Sequence, residues 1–166
     1  MKKYEFTGET KKVELFFRTV TLHRIRATVA FGLVEVGELG GWIEKEENLS
    51  HDGKAWVCGD AKVWGNAKVC GDAEVWGNAE VFSASHVLVI GAIGSRNDFT
   101  TFYRDKDNEI TVKCGCFLGK IDKFLQKVTE THGDSKYALV YRAAVEVAKL
   151  QIDLSGEAPK EEDGAE

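Results

Sequence analysis

The sequence predicts a mainly β protein: a short left-handed parallel β-helix over residues 41–93, with an N-terminal antiparallel β cap (1–40), a C-terminal ββαα module (94–153) and a disordered acidic tail (154–166). Three observations predict it. A six-residue period runs without slippage from Val57 to Ile93. A glycine followed by Asn or Asp stands at a fixed place in the first four units. The segments on either side lose the period and take strand and helix patterns instead.

Repeats decide the fold class, because a missed period misplaces every element. The units read Val57-Cys58-Gly59-Asp60-Ala61-Lys62, Val63-Trp64-Gly65-Asn66-Ala67-Lys68, Val69-Cys70-Gly71-Asp72-Ala73-Glu74 and Val75-Trp76-Gly77-Asn78-Ala79-Glu80, followed by the looser Val81 and Val87 units. The Gly-Asn and Gly-Asp pairs tolerate a left-handed backbone and mark corners. Three corners make a coil of eighteen residues in this reading, so valines stack inside and small residues fill the vertices. Ile43 and Leu49 point to an irregular first coil, interrupted near His51-Asp52-Gly53. In the Val81 and Val87 units Ser83-Ala84 and Val89-Ile90 replace the corner, which predicts that the helix closes there.

The same period predicts columns of side chains. Lys62 falls over Glu80 as a surface ion pair, Trp64 over Phe82, and Cys58 over Trp76. Outward aromatics on a water-facing surface mark a contact site, so Trp64, Phe82 and Trp76 are candidates for an oligomer seam or a ligand platform. So short a solenoid exposes much apolar surface at its ends, and association as a homotrimer is expected.

Before the repeats, Tyr4 to Thr7, Val13 to Phe17 and Val20 to Ala27 read as strands. His23, Arg24 and Arg26 form either a solvated edge or an anion site. After the repeats come strands at Phe99 to Arg104 and Glu109 to Phe117, joined by a turn at 105–108. Two helices follow, with apolar stripes on Ile121, Phe124, Leu125 and Val128, and on Tyr137, Val140, Tyr141, Ala144, Val147 and Ala148.

Charge and composition narrow the function. The net charge is −5, and residues 157–166 alone carry five acids against Lys160. The body is therefore near neutral, and direct nucleic-acid binding is not expected. No apolar run approaches the length of a membrane span, and Met1-Lys2-Lys3 is not followed by an apolar signal core, so the expected location is the cytoplasm. Cys58, Cys70, Cys114 and Cys116 lack zinc-knuckle spacing and are expected as thiols; no metal or cofactor is predicted.

A reaction centre is hard to find. The four histidines, His23, His51, His86 and His132, are too far apart in sequence for a closely spaced metal pair. His86, the one histidine on the repeats, is the only candidate base for acyl transfer, and no partner or substrate groove can be read beside it. Gly94-Ser95-Arg96-Asn97-Asp98, with Thr100 and Arg104 just beyond, gathers a guanidinium and amide and hydroxyl donors on one loop. Ser95, Arg96, Asn97, Thr100 and Arg104 therefore suit a phosphate or carboxylate, unless Arg96 and Asp98 simply pair to fix the turn.

Several segments together carry a resemblance: Tyr4 to Thr10, Gly37 to Ser50, the repeats, Gly94 to Asp98, Cys114 to Phe117 and Thr129 to Gly133. With them the chain, apart from its tail, resembles the hexapeptide-repeat-like proteins carried by bacteriophages and prophages of gut bacteria and Firmicutes. That resemblance implies a phage accessory protein acting in the host cytoplasm, without a transferable activity or site. The expectation is a non-enzymatic counter-defence binder that sequesters a nucleotide-like immune signal or blocks a host defence protein. A hexapeptide-repeat acyltransferase and a structural or assembly part of the virion are the alternatives.

Overall fold

The computed structural model describes residues 1–155, so the acidic tail expected after Leu154 lies, from residue 156 on, outside the described residues. The elements in chain order are β1 (Tyr4–Glu14), β2 (Thr19–Ala27), β3 (Leu39–Ile43), β4 (Trp56–Val57), β5 (Lys62–Val63), β6 (Glu74–Val75), β7 (Glu80–Val81), β8 (Val87–Ile93), β9 (Asp98–Arg104), β10 (Ile110–Cys114), β11 (Phe117–Lys120), α1 (Ile121–His132) and α2 (Lys136–Gln151). Among the described residues no helix is long and apolar enough to cross a membrane.

The chain is not a parallel left-handed β-helix. Among the described residues the strands form three separate sheets: a mixed sheet in the order β1-β2-β3-β5-β7, an antiparallel sheet in the order β11-β10-β9-β8, and the pair β4-β6. Among the described residues parallel pairing joins β3 with β5, β5 with β7 and β4 with β6, where the strands drawn from the repeats are two residues long, and recurs as a single bridge between Leu49 and Val69.

The physical reason lies at the edges. The N-terminal hairpin is one long antiparallel pair, and β2 continues onto β3 antiparallel, so it occupies the hydrogen-bonding edge that another parallel strand would need. At the other end the Val81 unit lacks its glycine corner. Ser83 caps a 3-10 turn at Ala84–His86, its side chain accepting from the Ser85 N–H. The chain then runs straight through β8, seven residues that pair antiparallel with β9 instead of completing a sixth unit.

What the period does describe is local. Gly59, Gly65, Gly71 and Gly77 have φ of 65, 62, 64 and 69°. That is the left-handed region, which makes a corner without Cβ strain. Registers such as Lys62↔Glu80 and Trp56↔Glu74 keep the eighteen-residue offset. Val57, Val63, Val69, Val75 and Val81 are fully buried together with Ala61, Ala67, Ala73 and Ala79. Each such valine contributes about 1.5–3 kcal/mol on burial. Gly40 and Gly41 of β3 close this core tightly, since a Cβ on Gly40 would stand 2.6 Å from Ile25 Cγ1 and one on Gly41 2.6 Å from the Ala61 carbonyl oxygen.

Two smaller cores flank it. One lies between the hairpin and the repeats and holds Val13, Val20, Leu22, Trp42 and Trp64. The other lies between the antiparallel sheet and both helices, around Phe102, Val112, Phe124, Val128, Tyr141 and Val145.

Candidate functional site

Two hairpin turns and both helices enclose a cavity of about 220 Å³. The β8–β9 turn supplies Ser95 and Arg96. Gly94 (φ 74°) and Asn97 (φ 47°) both take left-handed backbone, and the Asn97 N–H donates to the Gly94 carbonyl at 3.3 Å, which fixes the turn. The β10–β11 turn supplies Cys114, Gly115 and Cys116, with Gly115 at φ 56°. Arg96 lies against that second turn, its Nη1 3.3 Å from where a Cβ on Gly115 would stand.

The wall opposite is helical. Phe124, Lys127, Val128, Thr131 and His132 come from α1 and Tyr141 from α2, with Phe117 completing the apolar side. The His132 and Tyr141 rings stack at 5.7 Å and 26°, and Phe124 meets Tyr141 edge-on at 5.7 Å. Gly94 is essential to this closure, because a Cβ there would run into the Tyr141 hydroxyl. Burial pushes the pKa of that hydroxyl up to about 12, and the neighbouring Cys114 thiol adds to the effect, so Tyr141 stays a neutral donor. Arg96 and Lys127 bring two positive charges to the rim against the single carboxylate of Asp98.

The alternative in which Arg96 pins the loop against Asp98 does not hold in this geometry. Asp98 Oδ1 accepts instead from the Phe99 N–H at 2.7 Å, and Arg96 is exposed. The guanidinium is therefore available to a ligand.

The other residues singled out in the sequence divide. Asn97 is exposed and shapes the turn. Thr100 is buried one layer behind the cavity, paired in register with Cys114, and its hydroxyl donates to Cys114 Sγ at 3.4 Å. It therefore orients a wall residue instead of facing the ligand. Arg104 is elsewhere. At about 3.3 Å per residue, β9 carries it about 13 Å beyond Thr100. There it is 0% exposed, with Nε donating to Asn108 Oδ1 at 2.8 Å, Nη1 donating to the Glu80 carbonyl at 3.2 Å and the guanidinium 5.0 Å over the Phe82 ring.

The aromatic candidates also change role. Trp64 and Phe82 do stack, at 4.9 Å and 19°, but Trp64 is only 2% exposed under the N-terminal hairpin, so it has no face to offer a second subunit. The hairpin covers what the repeat pattern alone leaves open. Trp76 is half-buried, with Lys113 Nζ 5.0 Å over its ring. Lys62 and Glu80, expected as a surface pair, are both buried.

His86 is also buried, and its Nδ1 accepts from the Phe82 N–H at 3.2 Å. Burial first, and then Arg104, pull its pKa down, so it is held as a neutral structural imidazole. The four cysteines are free thiols. Lys127, His132, Phe117, Phe124 and Tyr141 were not legible as site residues. Their helical spacing marks them as core or solvent face, and only the packing of α1 and α2 against the turn brings them to Arg96.

No family model matches the chain, and no curated protein matches it.

Proposed function

We propose that the protein is a non-enzymatic binder of a small anionic, ring-bearing ligand of nucleotide type, acting as a phage counter-defence protein that sequesters such a signal in the host cell. One observation carries the reading: Arg96 and Lys127 share a cavity with the rings of Phe117, Phe124 and Tyr141. A guanidinium grips phosphate through charge-assisted bonds, and aromatic faces stack a base. The cavity holds about 220 Å³. That is smaller than the roughly 300–1,000 Å³ of a whole drug-sized site. It therefore takes one end of the ligand and leaves the rest at the rim.

The test is calorimetric titration with a panel of mono- and cyclic nucleotides, on the wild type and Arg96→Ala. Loss of one charge-assisted contact is expected to cost about 1.5–3 kcal/mol, roughly one to two orders of magnitude in affinity. An Arg96→Ala protein that binds as tightly as wild type, or a wild type that binds no member of the panel, would sink the reading.

A second reading, a protein partner such as a host effector, is supported by a different observation. Phe16 and Phe17, at the tip of the β1–β2 hairpin, are 95% and 93% exposed and pack edge-on at 4.7 Å. Paired aromatics in water are the composition of an interface anchor. Pull-down from host lysate with wild type and Phe16→Ser/Phe17→Ser distinguishes it, since a protein partner requires the pair and the nucleotide does not. Acyl transfer receives no such support, because the base it would need is His86.

A further inference from the structure

We infer that a second recess, lined by Lys11, Lys62, Lys106, Asn78, Asp60 and Glu80, is a binding site for the phosphoryl group of a phosphate monoester. It has a volume of about 230 Å³ and shares no residue with the Arg96 cavity.

The fold brings these side chains together from separate places in the sequence. Lys62 and Glu80 are register partners on β5 and β7. Lys11 comes over from β1 and rests 4.4 Å above the Trp42 ring. Asp60 and Asn78 stand at equivalent glycine corners of the repeats, eighteen residues apart. Lys106 is carried in by the turn after β9, and its backbone N–H donates to the Asn78 carbonyl at 3.1 Å. The walls are thus built on hydrogen-bonded strands and a pinned turn.

The charge balance points to an anion. Three ammonium groups line the recess, and Arg104 lies behind it, 3.9 Å from Glu80 Oε2. Against them stand Asp60 and Glu80 in the lining and Asp105 beside Arg104, so the cations outnumber the carboxylates by one in a chain whose net charge is −5. Asp105 is shared, since it is also bound to Lys120 at 2.6 Å and to the Thr111 hydroxyl at 2.7 Å. Lys62 and Glu80 are each only 7% exposed, so part of this charge is already out of water. An excess of one sign is costly in such a place. Burial lowers the Lys62 pKa, and the neighbouring Lys11 lowers it further. A dianionic oxygen cluster relieves that repulsion, because an ammonium carries only donors and a phosphoryl group supplies only acceptors once it is fully ionised.

The monoester follows from what adjoins the recess. Asp60 and Asn78 also line a groove of about 480 Å³ whose apolar side is Trp76 and Leu118. The Trp76 indole N–H is buried without a hydrogen-bond partner. A phosphate in the lysine recess can therefore carry an organic group past Asp60 and Asn78 and along Trp76.

The experiment is calorimetric titration of the full chain at low salt with inorganic phosphate and with phenyl phosphate, using Arg96→Ala, in which the first cavity has lost its guanidinium, with and without Lys11→Gln/Lys106→Gln. Lys106 is exposed and Lys11 half-buried, so the double variant leaves the core intact. Phosphate affinity is expected to fall at least about tenfold when the two lysine substitutions are added. Phenyl phosphate is expected to bind more tightly than inorganic phosphate. Equal phosphate affinity with and without the lysine substitutions would overturn the site. A phenyl phosphate no tighter than inorganic phosphate would overturn the assignment to a monoester. Failure of the nucleotide reading leaves these outcomes unaffected, because both proteins compared lack the Arg96 guanidinium.

Discussion

The Tyr103 hydroxyl clasps the backbone of Trp76 from both sides: it donates to the Trp76 carbonyl at 2.9 Å and accepts from the Trp76 N–H at 3.3 Å. With the Arg104 bond to the Glu80 carbonyl, this pins the glycine-cornered core to the antiparallel sheet. Burial raises the pKa of the phenol, so it remains a neutral donor at any ordinary pH. Tyr103→Phe leaves the ring in the core and strands both backbone groups. A destabilisation of about 1–3 kcal/mol is expected in urea unfolding, with an unchanged slope.

Arg96 and Arg104 are expected to separate cleanly. Arg104→Ala leaves the Glu80 carboxylate buried without its guanidinium and removes the bond to Asn108, which itself donates to the Leu154 carbonyl. A loss of about 3–5 kcal/mol is expected for Arg104→Ala. Arg96 lies on an exposed turn, and Arg96→Ala is expected to melt within a few degrees of wild type. Equal melting temperatures for the two variants would refute the assignment of Arg104 to the core.

Gly94 and Gly133 offer a controlled comparison. Both have positive φ, 74° and 59°. Alanine therefore costs backbone strain of about 1–2 kcal/mol at each. A Cβ at Gly133 meets nothing within 4 Å, whereas one at Gly94 collides with Tyr141. Thermal melts are expected to show the larger loss for Gly94→Ala. That variant alone should also weaken ligand binding, because Tyr141 and His132 must shift.

Lys3 gives a pH signature. It is buried, with Nζ donating to the Ala55 carbonyl at 2.7 Å and lying 4.7 Å from the Phe31 ring centroid, and burial pulls its pKa down to about 8. The unfolded lysine keeps its proton to about pH 10.4. Between these values the unfolded state binds more protons than the folded one, so this contribution to stability rises with pH across the window and is lost as pH falls back through the folded value. Cys58, raised by burial, works in the opposite sense above its ordinary range. The difference between wild type and Lys3→Met isolates the lysine: it should grow in favour of wild type over that window, and a flat difference would refute the burial argument.

Homo-oligomer formation remains a proposal, and its seam must lie away from Trp64. Leu139, Val147 and Leu150 on the outer side of α2 are 60%, 48% and 89% exposed. They make an apolar stripe that a monomer leaves in water. Light scattering is expected to show an oligomer for wild type and a smaller species for Leu139→Glu/Leu150→Glu. A monomeric wild type across the accessible concentration range would exclude this.

Local features were legible because local chemistry governs them. The glycine corners, the buried valines, the eighteen-residue offset of Lys62 and Glu80 and the Ser95-Arg96 turn all follow from residue type and spacing within a few units of chain. A left-handed corner needs glycine, and a two-residue strand buries its valine, whatever the rest of the protein does. Residue order was enough to settle those corners, the amphipathic stripes that became α1 and α2, and a charge pattern that leaves the body near neutral. The sheets were settled by long-range packing, because hydrogen-bonding edges are claimed by segments far away in the chain. The hairpin takes the edge of β3, which turns the expected parallel solenoid into a mixed sheet and hides Trp64. β9 takes the edge of β8, which ends the repeat. The sites belong to the same class. Arg96 meets Lys127 and Tyr141, and Lys11 meets Lys62 and Lys106, only after strands and helices from separate segments pack. The six-residue period carries no information about that packing, since it constrains neighbours along the repeat and not the partners that close around it.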